Sequence, residues 1–313
     1  MMNELITLTK MYKMSQKELK GYVAARLYEA HRKFESGDGY VFSKGTFPVL
    51  LVAHLDTVHK KLPSKILYDP ETTIASAPEG IGGDDRNGVF SVLKVLERFD
   101  CSVLFCEDEE IGGVGAEKFI KTETAKGLEF NYIIEFDRMN KNDAVFYDCD
   151  NPDFTDFITK EFYKEAYGSF SDISVLAPFL GCAAVNLSCG YYKAHTKDEF
   201  VVVTEIMKSI EEACKILERT TADDKFEYIE AVRNYRYGYG YSYYDWYDDM
   251  YDRQSYSTKK RYYLIEYTDE KGDTQWDDMM AHSEEEAIGM FCIDHPYLSF
   301  ADINEICADS YTY

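Results

Sequence analysis

Apolar and polar positions recur with two different periods along the first two thirds of the chain, and the segments they mark alternate. Leu19, Val23 and Leu27 stand at helical spacing and predict a helix from Ser15 to His31. Lys33–Glu35 and Tyr40–Ser43 alternate around Ser36-Gly-Asp-Gly39, the pattern of a hairpin. Phe47–Ala53 is an apolar run with the length of a buried strand, and Cys101–Cys106, Tyr132–Phe136 and Ala183–Leu187 repeat it. Between them, helical patterns cover Asn87–Phe99, begin at Ala116–Lys121, and run over Phe154–Tyr167 and Ser171–Phe179, the last opened by a Ser171-Asp172 cap. Thr204 is placed to cap a final helix to Arg219, with Ile206, Ile210, Cys214 and Leu217 inward. Residues 62–81 carry no period and read as irregular. Strands that alternate with helices predict an α/β fold: a three-layer α/β/α sandwich around a mostly parallel mixed sheet.

The texture changes after about residue 222. Residues 235–256 are rich in Tyr, Gly and Asp, with no helical period and few aliphatic side chains, and read as a linker. Arg261–Thr268 then alternates like a strand, Asp269-Glu-Lys-Gly272 is a turn, and Thr274–Met280 is a second strand. Ser283 and Glu286 have the spacing of a capping box for a helix to Ile293, and Ile303–Ser310 is a last strand. The expected organisation is an α/β domain over residues 1–222, a Tyr/Asp-rich linker over 223–260, and a small α+β (ββαβ) module over 261–313.

Composition narrows the function classes. The chain has 313 residues, 45% of them hydrophobic, enough for one substantial core and a small second unit. No segment approaches the roughly 20 apolar residues of a membrane helix. Met1–Lys13 is mixed and charged, so a secretory signal is not expected. The 8 cysteines are scattered, without a Cys-x-x-Cys pair, and predict a reducing, cytoplasmic setting with no disulfides. The formal net charge of −23 argues against nucleic acid and anionic membranes as partners. Residues 223–313 hold 21 acids against 8 bases, so more than half of that charge belongs to the tail.

Acids and histidines gather where the predicted strands end. In Val52-Ala-His54-Leu-Asp56-Thr-Val58, His54 and Asp56 stand two apart, so on an extended chain they point the same way. A carboxylate behind an imidazole fixes its tautomer for metal binding, and the pair also reads as an ordinary strand-end hydrogen bond. In Gly82-Gly-Asp84-Asp85-Arg-Asn-Gly88 two acids open a helix; a cap would explain Asp85, while the glycines imply special backbone geometry. Cys106-Glu-Asp-Glu109-Glu110-Ile-Gly-Gly113 crowds four acids after an apolar strand, as a solvated loop or as a cation site. Asp137 ends another strand, and His195 lies in Gly190-Tyr-Tyr-Lys-Ala-His195-Thr-Lys-Asp-Glu199. Each segment alone has a bland reading. Together they give His, Asp, Glu-Glu, Asp, His at the carboxyl edge of the sheet, where open α/β sheets hold ligands.

Over about residues 15–220, these five segments in this order resemble the clan of di-zinc amino- and carboxypeptidases (clan MH) that includes peptidase T and the glutamyl and leucyl aminopeptidases. The resemblance implies two Zn2+ per chain, with Co2+ or Mn2+ as substitutes of similar ligand chemistry. His54 and Asp137 would hold one ion, Glu110 and His195 the other, and Asp84 would bridge them. Asp56 would orient His54, and Glu109 would be the general base. It also implies a cis peptide between Asp84 and Asp85. The expected activity is metal-dependent hydrolysis at the end of a small peptide. Hydrolysis of N-acyl amino acids and a non-catalytic binding role are the alternatives. Only 57 residues separate Asp137 from His195, and 27 separate Asp56 from Asp84. The insertions on which many relatives build lids or oligomers are therefore not expected, and the sequence leaves the oligomeric state open.

Further residues have two readings each. Arg138 directly follows a proposed ligand, and either pairs with a surface acid or binds a substrate carboxylate. Tyr191 and Tyr192 either line the substrate cleft or pack the core. His59 reads as a solvated loop residue, and His282 and His295 as surface residues.

Overall fold

The computed structural model describes residues 2–231, the strand residues 261–268, 274–281 and 303–308, and Phe291. The chain divides into two compact units, Met1–Tyr235 and Arg236–Tyr313. In the first unit the strands are β1 (Glu35–Gly37), β2 (Tyr40–Ser43), β3 (Phe47–His54), β4 (Leu67–Asp69), β5 (Ile74–Ser76), β6 (Cys101–Cys106), β7 (Tyr132–Arg138), β8 (Asp143–Val145), β9 (Lys164–Ala166), β10 (Ala184–Ser188), β11 (Tyr191–Tyr192) and β12 (Phe200–Val202). The helices are α1 (Met2–Tyr12), α2 (Gln16–Glu29), α3 (Gly83–Val95), α4 (Val114–Ile120), α5 (Pro152–Thr159), α6 (Asp172–Leu180) and α7 (Val203–Arg219).

Eight strands form one sheet in the order β1-β2-β6-β3-β7-β10-β8-β9. Strand β3 runs parallel to β6 and β7, and β7 parallel to β10; β2 against β6 and β8 against β10 are antiparallel. The central strands are apolar throughout because both of their faces are covered. Leu51 and Ala53 belong to a core shared with Leu19 and Val23 of α2, Val89 and Val92 of α3, and Ile206 and Ala213 of α7. Leu50 and Val52, on the opposite face, pack with Phe119 of α4 and Leu176 of α6. This is the α/β sandwich that the alternation of periods predicts. Ser15 caps α2 in a capping box with Glu18, and Leu19, Val23 and Leu27 are its buried residues.

Short or tertiary-determined elements depart from the sequence pattern. Residues 2–12 form α1, which buries Leu8, Met11 and Tyr12. Residues 62–81 contain β4 and β5, which join β12 and β11 in a second sheet of order β11-β12-β5-β4. Strands of three residues are too short for an alternation to register. Helix α5 stops at Thr159 instead of reaching Tyr167, and Lys164–Ala166 becomes the edge strand β9. The buried Tyr163 donates its hydroxyl proton to the Ser209 carbonyl, and the Lys164 amide donates to Asn142. Those long-range bonds override local helix propensity. Val202, not Thr204, is the N-cap of α7, and the Thr204 hydroxyl meets that of Thr73.

Residues 223–231, expected to begin the linker, stay on the first unit. Phe226 packs its ring 5.1 Å from those of Phe154 and Phe157, its amide bonds to the Asn131 carbonyl, and bridges join Glu227 to Cys182 and Glu230 to Cys149. In the second unit β13 (Arg261–Thr268) lies between β14 (Thr274–Ala281) and β15 (Ile303–Ala308), antiparallel to both. Tyr263, Ile265 and Phe291 are buried there. The Tyr-rich stretch over 235–256, His282, His295 and most of the helix expected over 283–293 lie outside the described residues.

Helix α3 approaches β7 so closely that a Cβ on Gly88 would come 1.8 Å from the Phe136 carbonyl oxygen. Alanine would add about 1 kcal/mol of helix propensity, but forcing a methyl against fixed backbone removes more. Gly88→Ala is expected to lower stability by about 2 kcal/mol or more, read as a lower urea midpoint. An unchanged or higher midpoint would contradict this packing.

Candidate metal centre

His54 is the last residue of β3 and stands in register with Cys106, the last of β6. The chain leaves β6 through Asp108 at φ 62° and turns tightly over Glu109–Ile111. One side chain fastens the two strand ends together. Asp56 Oδ1 accepts from the Glu109 amide (3.0 Å) and Oδ2 from the Glu110 amide (3.0 Å). Oδ1 also lies 3.1 Å from His54 Nδ1. With Nδ1 holding the proton, Nε2 presents its lone pair to the site. Burial would raise the Asp56 pKa, but His54 and the two amides hold it below the ordinary carboxylate range.

Gly82 is left-handed at φ 69°, Asp84 and Asp85 are non-helical, and the peptide between them is cis. The two acids have separate tasks. Asp85 is fully buried and accepts from the amides of His54 (3.1 Å) and Gly88 (2.8 Å), so it caps the regular part of α3 and ties it to β3. Asp84 divides its oxygens. Oδ1 lies 3.0 Å from His54 Nε2, and Oδ2 lies 3.2 Å from His195 Nε2.

Two triads result. His54 Nε2 is also 3.3 Å from Asp137 Oδ1, and His195 Nε2 is 3.1 Å from Glu110 Oε2. Within His54, Asp84 and Asp137, and within Asp84, Glu110 and His195, one donor atom per residue lies within 4.8 Å of the others. Imidazole nitrogens and carboxylate oxygens so arranged can hold a metal ion, and they match the harder end of zinc chemistry as well as manganese or cobalt. Glu110 Oε1 is buried without a hydrogen-bond partner, as a second oxygen aimed at a cation would be. Glu109 belongs to neither triad, but its Oε2 lies 4.0 Å from His54 Nε2.

Asp137 is held from behind. Its amide donates to Asn186 Oδ1 (2.8 Å), and the Ser171 hydroxyl donates to Glu135 Oε2 (2.5 Å), with Asp137 Oδ2 3.0 Å away. Tyr191 donates its hydroxyl proton to the Asp137 carbonyl (3.1 Å) and is itself only 3% exposed, so it packs the core instead of lining an open cleft. Tyr192 stacks on Phe200 and bonds to Glu205, and Arg138 Nε lies 3.4 Å from Asp143. None of these three joins the triads.

Several contributors are not legible as spacing. His59 is not solvated: its side chain is 9% exposed and its Nε2 lies 2.5 Å from Glu199 Oε2. Glu199 is buried and accepts from the Gly82 (3.2 Å) and Asp84 (3.0 Å) amides. Arg86 is almost fully buried and donates to the carbonyls of Asp56 (2.6 Å) and Met14 (3.1 Å). The one sequence signal for Glu199 is an acid set directly against the apolar run 200–203.

In the metal-free protein, burial and then neighbouring acids push Asp137 up to about 6, Asp172 up to about 7 and Glu109 up to about 10. Hydrogen bonds to Asp84 and Glu110 raise His195 to about 11. All four bind protons more tightly folded than unfolded. The metal-free folded state therefore holds the excess of protons from the ordinary carboxylate range near 4 up to about 10, and stability falls as pH rises across that window. The lowered Asp56 and Asp84 add stability above the ordinary carboxylate range and lose it only in acid, so they do not reverse the trend. Chelator-treated protein is expected to unfold at lower urea near pH 9 than near pH 6. A midpoint that rises with pH would count against this charge arrangement.

No family model and no curated protein matches the sequence. Solved structures do match. The aminopeptidase PepT from Bacillus cereus ATCC 10987 is 12% identical, with 69% of this chain and 97% of that chain covered at a TM-score of 0.57. A tripeptidase from Staphylococcus aureus subsp. aureus mu50 is 11% identical, with the same coverages and TM-score. An aminopeptidase from the archaeon Desulfurococcus kamchatkensis is 15% identical, with 74% and 99% covered and a TM-score of 0.56. Among the described residues no helix is long and apolar enough to cross a membrane. The fold of this chain, an α/β sandwich, is thus similar to that of these aminopeptidase and tripeptidase structures.

Proposed function

We propose that this chain is a metal-dependent exopeptidase of the aminopeptidase type, working on small peptides with two zinc ions. The observation that carries the reading is the divided carboxylate of Asp84, whose two oxygens face two separate imidazoles. His54 and Asp137 hold one ion, Glu110 and His195 the other, and Asp84 is shared. Bound zinc supplies Lewis acidity toward the peptide carbonyl and lowers the pKa of an attacking water.

The remaining work falls to the chain. Asp56 keeps the His54 lone pair directed into the site. Glu109 lies beside the triads without belonging to either, the position of a base that takes a proton from water and returns it to the leaving amine. Its side chain is 11% exposed, so it stands at the margin of the site and within reach of solvent. A cytoplasmic location agrees with the six described cysteines, all buried and free.

Zinc content and a panel of free-amine and N-acylated substrates test the reading. The protein is expected to carry two zinc ions, lose activity to a chelator and regain it with zinc, and prefer substrates with a free amine. Glu109→Gln should keep its metal and lose on the order of 100-fold or more in kcat/KM. Near-normal turnover in that variant, or a protein that takes up no metal, would overturn it.

A further inference from the structure

Gly82 and Asp84 lie where the chain enters α3 with non-helical backbone, so their amides have no helical partners. Both donate to one side chain, Glu199, whose carboxylate is 0% exposed. Its Oε1 takes the Asp84 amide at 3.0 Å, and its Oε2 takes the Gly82 amide at 3.2 Å and His59 Nε2 at 2.5 Å. A buried carboxylate is unfavourable unless it is fully bonded, and here its bonds go to the residue whose own oxygens are divided between the two triads.

The seat around Glu199 is close-fitting. A Cβ on Gly80, at φ 89°, would stand 2.2 Å from His59 Cε1, so a glycine there is what admits the ring. A Cβ on Gly83 would stand 2.5 Å from Val201 Cγ1, so the chain before Asp84 lies pressed against β12. Glu199 also ends the loop that carries His195: its amide donates to Thr196, and β12 follows it directly. One carboxylate thereby links the segment after Asp56, the backbone of Asp84 and the loop of His195.

We infer that Glu199, seated by His59, is a positioning residue that sets the shared carboxylate of Asp84 and the His195 loop in mutual register for metal. This rests on the two-ion reading above. Glu199 touches no donor atom of either triad; it acts through the Asp84 backbone. Its loss should therefore weaken metal uptake in a protein that still folds.

Cobalt(II) is the probe, titrated into chelator-treated protein and followed by visible absorption, with far-ultraviolet circular dichroism as the check on folding. Glu199→Gln keeps the shape but turns a side-chain amide NH2, a donor, toward a backbone N–H that needs an acceptor. It is expected to raise the cobalt concentration needed for filling by about 10-fold or more and to alter the absorption bands. His59→Ala should move both in the same direction by less. The double variant should be no worse than Glu199→Gln alone, because His59 acts only through Glu199. If Glu199→Gln folds and titrates like the parent, or if the two effects add in full, the inference is wrong. Should Glu199→Gln not fold, His59→Ala decides: an unchanged titration overturns the inference. A parent protein that takes up no cobalt would sink the two-ion reading as well, whereas normal uptake by parent and variants alike would sink this inference alone.

Discussion

The carboxylate of Asp56 joins two strand ends that the sheet alone leaves free to diverge. The ladder between β3 and β6 ends with the Leu55 amide donating to the Cys106 carbonyl, and beyond that bond the two chains separate. Asp56 then takes the His54 ring with one oxygen and the amides of Glu109 and Glu110 with both. The imidazole of one triad, the carboxylate of the other and the proposed base are thereby referred to a single group. The Asp56 backbone is fixed in turn, because Arg86, two residues beyond Asp84, donates to its carbonyl.

That arrangement concentrates acids, and the surrounding structure is shaped by their repulsion. Asp84, Asp85, Glu135 and Asp172 are all buried at this edge of the sheet. Glu135 is pushed well above its usual range by burial and by Asp137. Among the described residues, Arg86 brings a buried positive charge to them, and Lys20 pairs with Glu107 just before the acidic turn. Helix α2 adds Gln16, whose amide donates to Asp108. Helix α2 thus braces the turn that carries Glu109 and Glu110. Charges of this number in one place leave a cation as the remaining means of ionising them together.

The sequence made legible what depends on repetition along the chain. Strands β3, β6, β7 and β10 are apolar on both faces, so each stands out as a run, and α2 shows its buried stripe. Most acids and histidines of the two triads were legible because they come after those runs in order, and Asp84 because two glycines precede it. What stayed hidden depends on partners far away in the chain. Helix α1 has no reason to form except the core that receives Met11 and Tyr12, and β9 exists because Asn142 takes its first amide. His59 and Glu199 stand 140 residues apart, a distance at which no spacing rule operates. Arg86 sits in the same motif as Asp84, yet its bonds to Asp56 and Met14 are made only by the folded chain.

The two imidazoles of the site meet solvent unequally. The His54 side chain is 1% exposed, enclosed by the sheet end and by Asp56, while the His195 side chain is 55% exposed on a loop whose own backbone is left-handed at φ 64°. Solvent reaches the two triads from the His195 side and not from the His54 side. The fold therefore sets one imidazole in the core and the other at the surface, two environments for the same chemical group.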